Sequence, residues 1–330
     1  LIPMLPWFQN YFPLYLAPMA GITDKIFRQL CKELGADVMV TEFVSAEGIF
    51  RRNERTIEYL DFDPVERPLG VQLFGADPEH LGEAARMVID WMRPDFIDLN
   101  FGCPVNKVVS RSGGSALLKD CPLLERVARA VVKGAGSTPV TAKIRIGWSR
   151  ETINATTTAR ILEDAGVQAI AVHGRTKEQG YSGEADWEVI AQVVQAVSIP
   201  VIGNGDINSP EVAARRKRES GVAGLMIGRG AMCAPWIFRQ VRHYLETGEI
   251  LPPPPLEEQW AFIRRHCVLA IEKRGAERPA MHSMRARLMA YSRGMPSAKQ
   301  LRTRFSHVET LAELDDIAAQ NLAQAAETVA

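Results

Sequence analysis

Residues 14–21 read LYLAPMAG. The first five positions form a short apolar run, the pattern of a strand buried on both faces. The residues just after that run decide between two α/β architectures. A doubly wound open sheet that holds a dinucleotide carries G-x-G-x-x-G after its first strand. Here the run ends in APMAG, without that spacing. Seven more runs of the same kind come later in the chain: DVMVTEF (37–43), GVQLFG (70–75), DFIDLN (95–100), VTAKIRIG (140–147), QAIAVHG (168–174), PVIGNG (200–205) and GLMIGRG (224–230). Segments of helical spacing separate them. In DPEHLGEAARMVIDWM, Leu81, Ala85, Val88, Ile89 and Met92 share one stripe, and Asp77 with Pro78 is a start signal. ETINATTTARILEDAG and SPEVAARRKRESG repeat the order cap, helix, glycine. Eight strand–helix repeats in about 230 residues predict an α/β fold, a (β/α)8 TIM barrel.

The chain has 330 residues, enough for such a barrel and a small extra domain. Residues 1–248 are expected to form the barrel. PPPP within 249–255 reads as a stiff proline-rich linker. Residues 256–330 keep a helical period and predict a small C-terminal all-helical domain.

Hydrophobic residues make up 46% and charged residues 24%, which suits a globular protein and argues against disorder. Formal net charge is zero, so a nucleic-acid surface must be a local patch. Residues 281–308 supply one candidate, with six Lys or Arg and no Asp or Glu. RRKR at 215–218 lies on the outer helices, before the last strand, and reads as surface charge. Cys31, Cys103, Cys121, Cys233 and Cys267 form no C-x-x-C pair, so zinc and iron–sulfur sites are not expected and a reducing cytoplasm is. The opening LIPMLPWFQNYFPLYLAPM is broken by four prolines, which disfavours a membrane span, and it lacks the basic start of a secretion signal. The chain starts on leucine, which leaves room for residues before it.

Polar residues gather at the strand C-terminal ends: Gln72, Asn100, Lys143 with Arg145, His173 with Arg175, Asn204 and Arg229. Active sites of this fold are built on that rim. NGD at 204–206 and GRG at 228–230 lie after strands seven and eight, where backbone N–H groups commonly bind a phosphate. A phosphorylated cofactor or substrate is therefore expected in the mouth. His173 has no partner at a metal-ligand spacing, which disfavours a metal enzyme.

APMAGITD (17–24), TEFVSAEG (41–48), VQLFG (71–75), DLNFGCPVNKV (98–108), GGSALLKD (113–120), KIRIGW (143–148), VHGRTKEQGYSG (172–183), PVIGNGDI (200–207) and MIGRGAM (226–232) occur in this order. Together they resemble the tRNA-dihydrouridine synthases over nearly the whole chain. MRARLMAYSRGMPSAKQLR near the C-terminus is similar to the bacterial B-type branch.

The resemblance implies FMN in the barrel mouth, NADPH as reductant and reduction of the C5–C6 bond of a uridine in the tRNA D-loop. It implies that Pro18, Met19 and Ala20 line the flavin, that Gln72 bonds the isoalloxazine edge and that Lys143 sits at its N1–O2 side. His173 would help to hold flavin and substrate. Asn204, Gly205, Asp206, Gly228 and Arg229 would bind the phosphate and ribityl chain. Hydride from flavin N5 to uracil C6 leaves an enolate, and C5 must then receive a proton. Free cysteine is largely protonated at pH 7, so Cys103 can be that acid, with Pro104 pinning its loop. Asn100 would bond the uracil edge, Arg145 and Arg175 would hold the developing anion or a phosphate, and Tyr181 would contact the target base. Lys107, Arg111, Arg285, Arg287, Arg293, Lys299 and Arg302 would grip the RNA backbone while the uridine is extruded. No oligomer is implied. Two other readings remain at this point: an FMN barrel acting on a free pyrimidine, as in the dihydroorotate dehydrogenases, and a non-catalytic RNA-binding barrel.

Overall fold

The computed structural model describes residues 5–9, 11–52, 54–109 and 113–329. Nine short strands form one sheet: β1 (Leu14–Leu16), β2 (Met39–Val40), β3 (Val44–Ser45), β4 (Leu69–Phe74), β5 (Phe96–Phe101), β6 (Val140–Arg145), β7 (Ala169–His173), β8 (Val201–Asn204) and β9 (Gly224–Ile227). Every pairing is parallel. The order β1-β9-β8-β7-β6-β5-β4-β2 comes back to its start, and a parallel bridge from Tyr15 to Val38 joins the ends. The barrel expected from the eight repeats is therefore the fold found. Of the predicted second strand at 37–43, Met39–Val40 is found as β2; β3 follows just after the predicted run, and both pair with β4. Between them the Thr41 hydroxyl accepts from Gln72 N at 3.1 Å, so a side chain replaces part of the regular ladder.

Two apolar cores result from the strand period of two. The larger lies between the strands and the surrounding helices. It takes Leu14, Leu16, Val71, Leu73, Ile97, Leu99, Ile144 and Val172. Helix Pro78–Met92 shows how its helical half forms. Asp77 caps it by accepting from His80 N at 2.9 Å, and Leu81, Ala85 and Val88 are fully buried, with Ile89 and Met92 partly so.

The smaller core fills the barrel interior with the alternate residues: Tyr15, Val38, Val40, Phe96, Ala169, Ala171, Ile202 and Met226. Leu5 and Trp7 from the N-terminal segment join it. Trp7 lies 5.2 Å from the Phe96 ring and donates to the Tyr15 hydroxyl at 2.6 Å. Leu5, Trp7 and Phe8 thus belong to the barrel floor. Gly70 makes room for Phe96, since a Cβ there would stand 2.1 Å from its ring. Gln72, Asp98, Asn100, Lys143, Arg145, His173 and Asn204 share the parity of this inner set and continue it towards the strand C-terminal ends. The barrel is apolar at its base and polar at its mouth.

Residues 249–255 carry no regular structure, and four helices come after them: Leu256–Arg274, Glu277–Tyr291, Ala298–Phe305 and Leu311–Val329. Their buried residues continue the outer core. His266 stacks on Phe27 of helix Lys25–Glu33, with ring centroids 5.8 Å apart, and shares a hydrogen bond with the Tyr291 hydroxyl at 2.8 Å. Burial pushes His266 down to about 3, so it packs as a neutral ring. No helix among the described residues is long and apolar enough to cross a membrane.

Candidate active site

Asn100 and Cys103 are joined by the local fold of NFGCP. The Asn100 Oδ1 accepts from Gly102 N at 3.2 Å and from Cys103 N at 2.9 Å, folding the chain back as the strand ends. The Cys103 carbonyl accepts from Ser115 N and Ser115 Oγ, at 3.1 and 2.9 Å. Gly102 O accepts from Arg145 Nε at 2.9 Å. The loop is held from three sides, and Cys103 is only 8% exposed. Burial raises its thiol pKa, against the opposing pull of a backbone bond from Val105 and the charges of Lys143 and Arg145. The sulfur is therefore a protonated thiol at neutral pH.

Beneath this loop runs a buried polar chain. Asn100 Nδ2 donates to Gln72 Oε1 at 2.8 Å, and Gln72 Nε2 donates to Asp98 Oδ2 at 2.6 Å. Thr141 Oγ1 donates to the other oxygen of Asp98 at 2.6 Å. Strand register explains the assembly, since Gln72 stands opposite Asp98 and Asn100 opposite Lys143. The two amides expected to face ligands thus bond each other inside the protein. Asn100 positions Cys103, and Gln72 positions Asn100. Asp98 is not singled out by the sequence motifs, although its i, i+2 relation to Asn100 places both on one strand face.

The cationic groups divide by what they hold. Lys143 is pushed down to about 8, by burial first and then by Arg145. Arg145 is 2% exposed and donates to the carbonyls of Gly102, Thr176 and Gly180. Arg175 donates to Ser182 O, Gly183 O and the Asp206 carboxylate, the last at 2.7 Å. These bonds make both arginines fasteners of the loops around the mouth. Asp206 accepts from Arg175, Arg229 and Ala185 N, so it is a counter-ion that orients two arginines. Arg229 keeps 44% of its side chain exposed.

His173 is pushed well below its ordinary value by burial and by Lys143, Arg145, Arg175 and Arg229. It is neutral. Arg175 Nη1 lies 3.4 Å from its Nε2 and can only donate, which places the ring hydrogen on Nδ1. Tyr181 is 59% exposed, with its ring 6.4 Å from His173, 5.7 Å from the Arg145 guanidinium and 5.0 Å from that of Arg229. Asn204 donates to Met226 O at 2.7 Å. Met19 closes the turn after β1 with Thr23, and its sulfur faces Gly228 across 3.5 Å from where a Cβ would stand. Pro18 and Ala20 flank it.

The residues present fit a phosphorylated, anionic group. Among the described residues four cations line the mouth, Lys143, Arg145, Arg175 and Arg229, and Lys143 is pushed down by burial and then by Arg145. Gly205 sits at φ +136°, where a Cβ would come within 2.4 Å of Ala185. Gly205→Ala is therefore expected to weaken binding of such a group by at least about tenfold through a displaced backbone, read by calorimetric titration.

The RNA-gripping set is also redistributed. Arg287 is 8% exposed and donates to Gly21 O, Ile22 O and Asp24 Oδ2, tying helix Glu277–Tyr291 to the turn after β1. Arg285 donates to the carbonyls of His307 and Val308. Both were expected on RNA, and here they tie parts of the fold together, because helix ends and turns present carbonyls that need donors. Arg293, Lys299 and Arg302 are exposed. Arg111 and the Lys107 side chain lie outside the described residues.

The model of the family described as dihydrouridine synthase matches residues 15–329. tRNA-dihydrouridine synthase B of Pseudomonas aeruginosa is 43% identical over 296 residues, covering 90% of this chain and 88% of that protein. The protein of the same description from Xanthomonas campestris pv. campestris is 48% identical over 249 residues, 76% of this chain and 73% of its own. A probable tRNA-dihydrouridine synthase of Rickettsia bellii is 41% identical over 288 residues, covering 87% of each. Among solved structures, the old yellow enzyme from Trypanosoma cruzi superposes with a TM-score of 0.54 at 13% identity, over 74% of this chain and 90% of that one. That likeness concerns the barrel fold. The motifs from APMAGITD to MIGRGAM, the rim they build and these matches agree: the chain belongs to the dihydrouridine synthase family.

Proposed function

We propose that this chain reduces the C5–C6 bond of a D-loop uridine in tRNA to dihydrouridine, with FMN in the barrel mouth and NADPH as reductant. The observation that carries the reading is Cys103: a thiol kept protonated by burial, pinned through Asn100, at the edge of a cationic mouth. The names of the relatives support the substrate. When bound, FMN supplies to C6 the hydride it has taken from NADPH. Asn204, Gly205, Gly228 and Arg229 would hold its phosphate and ribityl chain, Pro18, Met19 and Ala20 its ring, and Lys143 its negative charge. Neutral His173 offers Nδ1–H to flavin or uracil. Cys103 Sγ–H gives its proton to C5, and the thiolate left behind faces Lys143 and Arg145, whose charges stabilise it. Tyr181 would stack on the target base, and Arg293, Lys299 and Arg302 would hold the RNA backbone. In this reading residues 1–248 carry the catalysis and 256–330 the RNA, joined by 249–255. All five cysteines are free, which fits work on tRNA in a reducing cytoplasm.

Dihydrouridine measured by mass spectrometry in tRNA lacking the modification, after incubation with the FMN-loaded protein and NADPH, tests the proposal. Product at one D-loop position is expected. No product, with turnover of free dihydroorotate, would overturn it in favour of the small-pyrimidine reading.

Lys143 adds a pH dependence. With its pKa near 8, it is charged at neutral pH and loses its proton as pH rises through 8. An anion favours the charged form, so binding takes up a proton above that value. FMN affinity is expected to be level below pH 7 and to fall above pH 8, with Lys143→Met weaker and level throughout. Fluorescence titration across pH checks both curves.

A further inference from the structure

Two lysines of the barrel rim are held by one aromatic ring. Lys119 Nζ lies 4.0 Å from the centroid of Trp148, and Lys177 Nζ lies 4.5 Å from it. Three different rim loops meet here. Lys119 ends the short helix Gly114–Lys119, whose start is bonded to the Cys103 carbonyl. Trp148 comes three residues after Arg145, which limits their separation to about 11 Å. Lys177 lies four residues before Tyr181. The loops are fastened to each other, since Lys177 N and Glu178 N donate to Gly147 O and Trp148 O, each at 3.0 Å. The indole N–H donates to Glu178 Oε1 at 3.1 Å.

Neither lysine forms an ion pair among the described residues, whereas Arg145, Arg175, Arg285 and Arg287 have internal partners. Glu178 accepts from the indole, and Asp120 caps helix Cys121–Ala135 by accepting from Leu123 N. A cation drawn to a ring face keeps its charge and its outward donors. The ring therefore holds two ammonium groups close together, ahead of any ligand, beside a mouth bordered by exposed Tyr181. That combination matches single-stranded RNA, whose backbone needs fixed cations where its bases are splayed onto aromatic groups.

We infer that Lys119, Trp148 and Lys177 form a backbone-phosphate clamp for the RNA strand flanking the extruded uridine. The inference rests on the proposed action on tRNA and adds a docking point on the barrel itself, separate from the C-terminal helices. It assigns Trp148 to holding the lysines, and Lys119 and Lys177 to the phosphate.

The test is binding of unmodified tRNA transcript to the full, FMN-loaded chain across a salt series. Single-stranded contacts contribute about 0.7 to the log–log salt slope per phosphate. Lys119→Ala/Lys177→Ala is expected to weaken binding about three- to tenfold at 0.15 M salt and to flatten the slope by about 0.7–1.4. Trp148→Leu keeps both charges and is expected to lose part of the affinity. Lys133→Ala/Lys217→Ala removes the same charge at the opposite end of the barrel and is expected to leave affinity and slope unchanged. NADPH oxidation by a small dye acceptor should be equal in all variants. An unchanged slope in Lys119→Ala/Lys177→Ala, or an equal loss in the Lys133/Lys217 control, would overturn the clamp while leaving the proposed function standing. Failure of the unsubstituted chain to bind tRNA would overturn both.

Discussion

Cys103→Ala is expected to slow dihydrouridine formation by about 10²–10⁴-fold, the usual contribution of a positioned general acid. Protein stability and FMN binding should change little, because the sulfur is a small group at the rim and its loop is fixed through backbone atoms and Asn100. The comparison with Asn100→Ala separates chemistry from placement. That change removes the acceptor for Gly102 N and Cys103 N and leaves Gln72 Oε1 without its donor. Its loss should approach that of Cys103→Ala with the thiol still present. Rapid mixing of the reduced holoenzyme with tRNA, monitored at the flavin absorbance, reads both rates. Equal rates for Cys103→Ala and the unsubstituted chain would remove the acid role.

Arg28→Met is expected to cost about 3–5 kcal/mol of stability, the range for removing one partner of a buried ion pair. Arg28 is 2% exposed, and Glu66 opposite it is fully buried. The guanidinium donates to Glu66 Oε2, to Thr23 O at 3.0 Å and to Asp61 O at 2.9 Å. Glu66 also accepts from Asp63 N at 2.7 Å. One side chain thus binds the turn after β1 to the segment before β4. Without it Glu66 is left as a buried charge, and burial already raises its pKa. Adding Glu66→Gln should return part of the loss. Urea unfolding of the two variants measures this, and a cost below about 1 kcal/mol, the range of exposed pairs, would contradict it.

The barrel was legible in the sequence because strands buried on both faces are continuous apolar runs, and eight of them alternate with capped helices. The polar mouth was legible for the same reason: Gln72, Asn100, Lys143, His173 and Asn204 interrupt those runs at their C-terminal ends. Partners were not legible. Arg287 and Arg302 look alike in a basic segment, yet one is buried against the carbonyls of residues 21 and 22 and the other is exposed. That Arg145 and Arg175 also bond the carbonyls of Thr176, Gly180 and Ser182 was not legible, because nothing local shows those carbonyls folding over them. Trp7 read as part of a broken apolar opening, and only barrel closure reveals the floor it fills.

The proposed chemistry stands or falls with Cys103 acting as a protonated thiol towards uridine in tRNA. The decisive measurement is the single-turnover rate of dihydrouridine formation by the reduced, FMN-loaded chain from pH 6 to pH 10. The rate is expected to be level through neutral pH and to fall only in alkaline solution, where Lys143 and then Cys103 lose their protons, since burial raises the Cys103 pKa. A rate that climbs as pH rises through 7–9, as for an attacking thiolate, would rule out the acid role.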